Sequence, residues 1–319
     1  MILLATTSRD LTSDYVVLEL RRRGVEHVRL NTEELPTARA WFRPDGDGWS
    51  LDIGGRDVQL ARVGAAYYRR PGLPLAPANT YSDADRLYVT TEWSAVLQCL
   101  YTELEARWLN APSAIFAAED KPRQLAAALS LGLSVPATMV TNDPEAAVTF
   151  THGGPTVAKP LRQALLEEGG TGRVIFTSRI GHGLVDVSAE AIRAAPMIFQ
   201  REIPKIFDVR VTVVGESVFA ASIHSQECAE TVVDWRRGSR PDLRHEVHNL
   251  PTTLVAACVA LTRHFNLRFG AIDLVLDQDG KYWFLEINPN GQWAWIENRT
   301  GLPITSAIVD ELIRIAKCP

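Results

Sequence analysis

The 319-residue chain has no apolar run long enough to cross a bilayer, no block of basic residues, only four cysteines and very few lysines. Each shortage excludes something. The amino-terminal MILLATTSRD turns polar by position 6, so neither a signal peptide nor a transmembrane helix is expected. A formal net charge of -5 without a basic stripe leaves no electrostatic footprint for a nucleic-acid backbone. Cys99, Cys228, Cys258 and Cys318 have neither the paired spacing of a zinc site nor the density of a secreted disulfide scaffold, which points to a reducing, cytoplasmic setting. Two nucleotide fingerprints are missing as well: no G-x-G-x-x-G follows the opening strand, and no G-x-x-x-x-G-K-[ST] occurs. Only five of the 33 basic residues are lysines (121, 159, 205, 281 and 317), and an arginine-favouring genome accounts for most of that bias.

What is present, 46% hydrophobic and 22% charged residues, suits a soluble globular chain of two or three packed units. Residues 1–31 read strand, helix, strand, with the helix ending on Gly24. Short strand candidates follow (AWFRP, WSLDI, VQLARV, AAYYRRP), then a helix from about Asp83 to Leu109. Its stripe of Trp93, Val96, Leu97, Leu100, Leu104 and Trp108 has the spacing of a core-facing helix. WLNAPSAIFAAEDKP (108–122) reads as a boundary turn, and a new helix runs from about Pro122 to Leu131, stopped by Gly132. Strand candidates VPATMVT, PTVAKPL and RVIFTSRI come next, the last two separated by the loop RQALLEEGGTG. MIFQREI, the hairpin FDVRVTVVGESVFAASIHS, a polar stretch to about 250, the helix TTLVAACVALTRHFN and a final hairpin complete the chain.

That last hairpin, FGAIDLVLDQDGKYWFLEINPN, carries Asp279-Gly280 between apolar runs, the signature of a two-residue turn. With Gln278 facing Lys281, Ile272 faces Ile287, Leu274 faces Leu285 and Leu276 faces Trp283 on a wholly apolar face. On the other face Val275 opposes Phe284 and Asp273 opposes Glu286, with Asn288 pointing the same way. Two facing carboxylates repel unless a cation sits between them or one is protonated. Two acids and an amide suit Mg²⁺; a solvated hairpin edge is the competing reading. Lys121, just before a helix, and Lys159, ending TVAK, are placed to meet phosphate, and the loop Glu168-Gly169-Gly170-Thr171-Gly172 can close over a triphosphate with its amides. Taken singly, such lysines and glycine turns are usually plain surface.

The order AEDKPRQL…GLSVPAT, VAKPL with its loop, MIFQREI, FDVRVTVV, AIDLVLD and EINPN resembles the ATP-grasp fold over about residues 105–319. YYRRP (67–71), IHSQ (223–226), VDWR (233–236) and EINPNGQW further resemble the microviridin-type peptide maturases, or graspetide synthetases. The resemblance implies an α/β (α+β) chain of three parts: a pre-ATP-grasp domain over 1–112, a central lid over 113–197 and a carboxy-terminal part over 198–319 with the metal hairpin. It implies ATP and Mg²⁺, with Lys121 and Lys159 on the nucleotide phosphates and Gln200 with the backbone of Arg201, Glu202 and Ile203 receiving adenine. Glu202 or Asp208 is implied for the ribose, and Asp273, Glu286 and Asn288 for the metal. Arg210 is implied as a stabiliser of the γ-phosphate and acylphosphate; a structural Asp–Arg pair is the alternative. At least one of Arg69 and Arg70 is read as gripping a substrate carboxylate, against a plain exposed edge. His224 is read either as a base for the attacking hydroxyl or as structural.

The implied activity joins Asp or Glu side chains of a ribosomal precursor peptide to Ser, Thr or Lys side chains, after activation as acylphosphates. A leader of that peptide would bind near residues 209–223 and the polar stretch that carries Trp235 and Arg236. A ligase of the glutamate-ligase type for a small carboxylate and amine, or for a protein tail, is the second hypothesis, and a non-catalytic nucleotide-bound scaffold the third. A homodimer is among the assemblies the sequence allows. His245 and His248 read as a surface pair, and nothing in the pattern explains Gly291-Gln292-Trp293.

Overall fold

The computed structural model describes residues 1–76, 82–162, 165–168, 171–181, 189–237 and 243–317. Strand β1 (Ile2–Thr6), the helix Leu11–Arg22 and strand β2 (His27–Asn31) form the expected opening. Asp10 caps the helix by accepting from the Ser13 amide, Val16 and Leu20 bury its inner face, and Gly24 leaves it at φ +64°. A small antiparallel sheet of β3 (Arg39–Arg43), β4 (Gly48–Ile53) and β5 (Arg56–Gln59) precedes β6 (Ala65–Tyr68), which returns parallel to β1.

The helix Asp83–Glu103 stops short of the expected Leu109. A 3-10 turn at Glu105–Arg107 follows, and Leu109 then donates its amide to the Ala66 carbonyl at 2.8 Å, so the segment lies beside β6 instead of continuing the helix. Leu97, Leu100, Leu104 and Trp108 are buried, as the stripe predicts. The expected boundary turn contains a helix of its own, Pro112–Ala118, followed by Lys121–Ser130 capped by Asp120. Ile115, Ala118, Leu125 and Ala128 bury into the core under the carboxy-terminal sheet, so these helices do not belong to a lid.

The lid is β7 (Thr138–Thr141), β8 (Thr156–Pro160), β9 (Leu165–Glu168), β10 (Thr171–Val174), β11 (Ser178–Ile180) and β12 (Met197–Arg201), with four strands in the order β11-β8-β12-β7 and β9–β10 as a separate hairpin. The expected glycine loop is thus largely a hairpin, RVIFTSRI is divided between β10 and β11, and Gly169 and Gly170 lie outside the described residues. Helices Pro144–His152 and Ala189–Ala194, which the sequence reading did not anticipate, flank this sheet. Because β12 pairs with both β7 and β8, the lid runs through Arg201 and is not cut at 197.

The second large sheet has the order β15-β14-β13-β16-β17, from β13 (Lys205–Val214), β14 (Ser217–Ile223), β15 (His245–Val247), β16 (Phe269–Asp277) and β17 (Tyr282–Asn288). Val209–Val214 are buried in its middle. The helices Ala294–Thr300 and Ile304–Lys317 share one core with β1, β6 and the helix Leu11–Arg22, so the first domain is built together with the carboxy-terminal end. Among the described residues no helix is long and apolar enough to cross a membrane.

The β16–β17 register departs from the expected one in two places that cancel. Asp277 pairs with Lys281 (Asp277 N to Lys281 O, 3.0 Å) across a three-residue loop, and Gly280 takes φ +78°, which is the turn followed by a left-handed glycine and not the two-residue turn. Leu274 therefore faces Phe284, Val275 faces Trp283 and Leu276 faces Tyr282. A bulge between Asp273 and Leu274 on one strand, with Leu285 the extra residue on the other, then restores Asp273 opposite Glu286 and Ile272 opposite Ile287. Phe284 consequently enters the core, and Leu285 and Glu286 both turn to the other face.

As the outer strand, β17 would expose its backbone, yet two partners cover it. Gln124, 2% exposed, donates Nε2 to the Ile287 carbonyl at 2.8 Å and accepts the Ile287 amide at 3.0 Å, and the Ser134 carbonyl takes the Phe284 amide at 2.8 Å. Gln124→Leu should lower stability by about 2–4 kcal/mol, the cost of stranding a buried amide and carbonyl, measured by urea unfolding.

Candidate active site

A cleft of ≈ 990 Å³ separates the lid sheet from the carboxy-terminal sheet. Lys159 and Gln200 reach it from the lid, Lys205 and Asp208 from β13, Asp273 and Glu286 from the last hairpin, and Lys121 from its helix start. Asp273 and Glu286 face each other across β16–β17, as the sequence predicts. Arg210, opposite Asp273 on β13, donates to Asp273 Oδ1 at 2.6 Å, and Lys121 Nζ lies 3.1 Å from Glu286 Oε2. Asn288 Nδ2 is 3.4 Å from Glu286 Oε1, so the three expected metal ligands adjoin.

Burial raises the proton affinity of Asp273 against the pull of Arg210. For Glu286 burial acts the same way, but the charges of Lys121, Lys159 and Arg236 outweigh it and hold the carboxyl well below its usual range. Lys159 is pushed down to about 8, chiefly by burial. Among the described residues no group of three His, Cys, Asp or Glu side chains assembles. The donor set is two carboxylates and an amide, all oxygen, which fits a hard divalent ion that keeps positions for water and phosphate.

Gln200 is buried, donating Nε2 to Thr138 Oγ1 at 2.9 Å and accepting from Lys159 Nζ at 3.1 Å. Arg201, Glu202 and Ile203 line the cleft, but the amides of Arg201 and Glu202 already donate to the Ala137 and Pro155 carbonyls, so two of the hinge amides expected for adenine are paired. The Arg201 guanidinium is spent on the Gly154 carbonyl and Thr156, and Glu202 is gripped by Arg179 at 2.6 Å. Asp208 pairs with Lys205 at 2.7 Å and accepts from Ser225 Oγ at 2.5 Å, its proton affinity raised by burial despite both.

The far wall comes from the VDWR stretch, whose anchoring to the strands opposite no sequence spacing shows. Asp234, 5% exposed, accepts from the Thr177 amide at 3.2 Å and from Arg236 at 2.7 Å, and Arg237 donates to the Thr177 carbonyl at 2.9 Å, so the stretch after β14 is laced to the lid. Trp235 and Arg236 line the cleft between these anchors. Lys205, one of the five lysines, could have been found by its rarity alone.

Other expected residues lie elsewhere. Arg69 is 1% exposed and its fork is consumed by the Asn290 carbonyl at 2.6 Å, the Gly291 carbonyl at 3.1 Å and Gln292 Oε1 at 2.7 Å. It therefore cannot reach for a substrate. The same contacts explain Gly291-Gln292-Trp293. A Cβ on Gly291 would stand 2.4 Å from that of Ala271, Gln292 also accepts from Thr12 Oγ1 at 3.0 Å, and the Trp293 indole is fully buried against Tyr67 and Tyr15. Arg70, by contrast, is exposed at φ +46°. His224 does not line the cleft; its ring nitrogens meet Glu246 at 3.1 Å and Arg244 at 2.8 Å, a structural setting and not that of a base at the reaction centre. His245 and His248 are no surface pair: His245 packs on Trp295 and His248 bonds the Tyr282 hydroxyl at 2.8 Å.

The sheet-on-sheet cleft gathers two facing acids, three lysines and Arg236, a setting suited to a polyphosphate and a hard cation. The chain belongs to the RimK-like ATP-grasp family, whose domain model matches residues 118–312. It is similar over 98% of its length to the macrocyclase MdnC bound with precursor peptide MdnA from Microcystis aeruginosa MRC (28% identity, 99% of that chain, TM-score 0.84). It is also similar over 100% of its length to a Chryseobacterium gregarium RiPP-associated ATP-grasp ligase in complex with ADP and a leader and core peptide (27% identity, 97% of that chain, TM-score 0.88). The ATP-grasp ligase PsnB, complexed with a phosphomimetic variant of minimal precursor, Mg and ADP, matches 99% of the chain (27% identity, 98% of that chain, TM-score 0.78). No curated protein sequence matches significantly.

Lys159 stores an unfavourable charge, and its sign can be tested. With a folded value of about 8 against 10.5 for an ordinary lysine, the penalty is full below pH 8 and fades as pH rises toward 10.5. Lys159→Met should raise the stability of the nucleotide-free protein by on the order of 2 kcal/mol at pH 7, with the gain shrinking by pH 10, while weakening ATP binding. Thermal unfolding across that pH range and nucleotide titration measure both.

Proposed function

We propose that the chain is an ATP-dependent, ADP-forming ligase that crosslinks side chains of a ribosomally made precursor peptide. The observation that carries this reading is the pair Asp273 and Glu286, facing each other in a cleft that also gathers Lys121, Lys159 and Arg236. The full-length likeness to peptide-bound macrocyclases supplies the substrate class.

In this reading Asp273, Glu286 and Asn288 hold Mg²⁺, which when bound neutralises the charge of the nucleotide phosphates. Lys121 and Lys159 take the phosphates as compact cations, the segment Gln200–Ile203 receives adenine, and Glu202 or Asp208 the ribose. Glu286, which lies 3.1 Å from Lys121 Nζ, would serve as a ligand of the bound ion, and Lys121 would be a cation for the phosphates. Arg210 remains at Asp273 and has a buried Nε–H without a partner, a donor left over for an anion.

A peptide carboxylate oxygen attacks the γ-phosphorus of ATP; the bond to the bridging oxygen breaks and ADP leaves. The hydroxyl of a Ser or Thr, or the amine of a Lys, then attacks the acylphosphate carbonyl. The carbonyl carbon to phosphate-oxygen bond breaks, phosphate carries off one carboxylate oxygen, and the nucleophile's proton passes to it. Each crosslink therefore removes one water from the peptide. No histidine base is needed, in keeping with the position of His224.

Incubation with ATP, Mg²⁺ and a synthetic precursor-type peptide rich in Thr and in Glu or Asp should lower the peptide mass by one water per link. An added amino acid would favour a glutamate-ligase type, and an unchanged peptide with ADP release would contradict the proposal. Glu286→Gln and Asn288→Ala should each cut turnover at least ~100-fold with the unfolding transition unmoved; normal turnover in Glu286→Gln would remove the ligand assignment.

A further inference from the structure

A second cavity, open to solvent, is lined by residues of the first domain, by Phe116 and by Asn290. Asn290, two residues after Asn288, is part of its wall, so it opens next to the tail of the metal hairpin. Three features of its lining are unusual together. Arg70 is one. Its φ of +46° costs a non-glycine residue about 1 kcal/mol or more, and among the described residues its guanidinium makes no hydrogen bond or ion pair. The side chain reaches solvent, yet partial burial and the charge of Arg69, with a smaller push from Arg210, lower its hold on its proton against the opposing pull of Asp10.

The second feature is the strap Pro71–Pro74. It is held down by Thr32 Oγ1 on the Gly72 carbonyl at 2.7 Å and Thr90 Oγ1 on the Pro74 carbonyl at 2.9 Å, yet it displays Leu73 at 67% exposure. Phe116, across the cavity, is 66% exposed under the Arg162 guanidinium at 5.1 Å. The third is the aromatic floor: Tyr68 and Tyr101 meet edge to face at 5.2 Å. Arg162 is already paired with Glu119 at 3.1 Å, whereas Arg70 feels the charge of Asp10 but among the described residues contacts no carboxylate.

We propose that this cavity is a subsite for an acidic residue of the peptide substrate, with Arg70 gripping the carboxylate and Leu73, Phe116 and the tyrosines packing the residues beside it. The inference rests on the peptide-ligase reading. Guanidinium forks match carboxylates, and an apolar rim around a cation with no direct carboxylate partner fits an extended segment of alternating acidic and less polar residues. Asn290 in its wall stands two residues beyond Asn288 at the end of the metal hairpin.

Phenylglyoxal, which modifies arginine, tests the subsite without turnover. The full chain is treated in the absence of ATP, with a synthetic peptide of alternating Thr and Glu or with its Thr and Gln counterpart, and modified arginines are mapped by mass. The Glu peptide should slow modification of Arg70 at least 5-fold, the Gln peptide should not, and Phe116→Ser should raise the peptide concentration needed for protection about 5- to 10-fold. Equal modification with and without the Glu peptide, equal protection by the Gln peptide, or unchanged protection in Phe116→Ser would overturn the subsite. Protection of a peptide that never loses water would leave the subsite standing and sink the crosslinking reading. Normal water loss with Arg70 unprotected and an unchanged peptide KM in Arg70→Gln would do the reverse.

Discussion

Two carboxylates held face to face on neighbouring strands repel, and the structure around Asp273 and Glu286 is arranged to answer that repulsion. Arg210 stands behind Asp273 and Lys121 beside Glu286, with Lys159 and Arg236 close enough to keep Glu286 ionised. Each cation needs its own support. Lys121 is held by the start of a helix whose Gln124 in turn covers the edge of β17, and Arg210 donates to the Gln292 carbonyl at 3.3 Å. Gln292 is fixed from the other side by Arg69 and Thr12 of the first domain. The first domain is therefore tied to the charge balance of the cleft through a run of buried hydrogen bonds.

The bulge at Leu285 has a comparable place in the sheet. It lets a strand whose turn-proximal half puts Phe284 into the core present Glu286 to the cleft only two residues later. The lid, in turn, is laced to the cleft wall through Asp234, Arg237 and Thr177, so Trp235 and Arg236 are held between two fixed points. Cleft, wall and lid form one connected polar network around a low-exposure space, the setting in which electrostatic stabilisation of a transferred phosphoryl group is strongest.

Much of this was legible from the sequence because it is local. The strand-helix-strand opening, the helix stripe ending in Trp108 and the β13–β14 hairpin follow from periodicity and turn residues. The facing of Asp273 and Glu286 was reached from a two-residue turn that the structure does not have; the three-residue loop shifts the register by one, and the bulge shifts it back. Periodicity cannot reveal a bulge, so Leu274 and Phe284 were misplaced while the acids were not. The residues that were missed act over long range. Gln124 on β17, Asp234 on the lid and the capture of Arg69 by Asn290 and Gln292 join positions far apart in the chain, and no spacing rule encodes them. Arg69 and Arg70 are adjacent in sequence, yet one is buried and spent while the other, turned by a positive φ, is exposed and unpaired.

The central claim is that a peptide carboxylate becomes an acylphosphate in this cleft before it is crosslinked. The most direct measurement follows oxygen. With the precursor peptide carrying ¹⁸O in its Asp and Glu carboxylates, the account predicts one ¹⁸O in inorganic phosphate for each crosslink, with ADP as the only nucleotide product. Label retained in the peptide, or AMP and pyrophosphate as products, would contradict it.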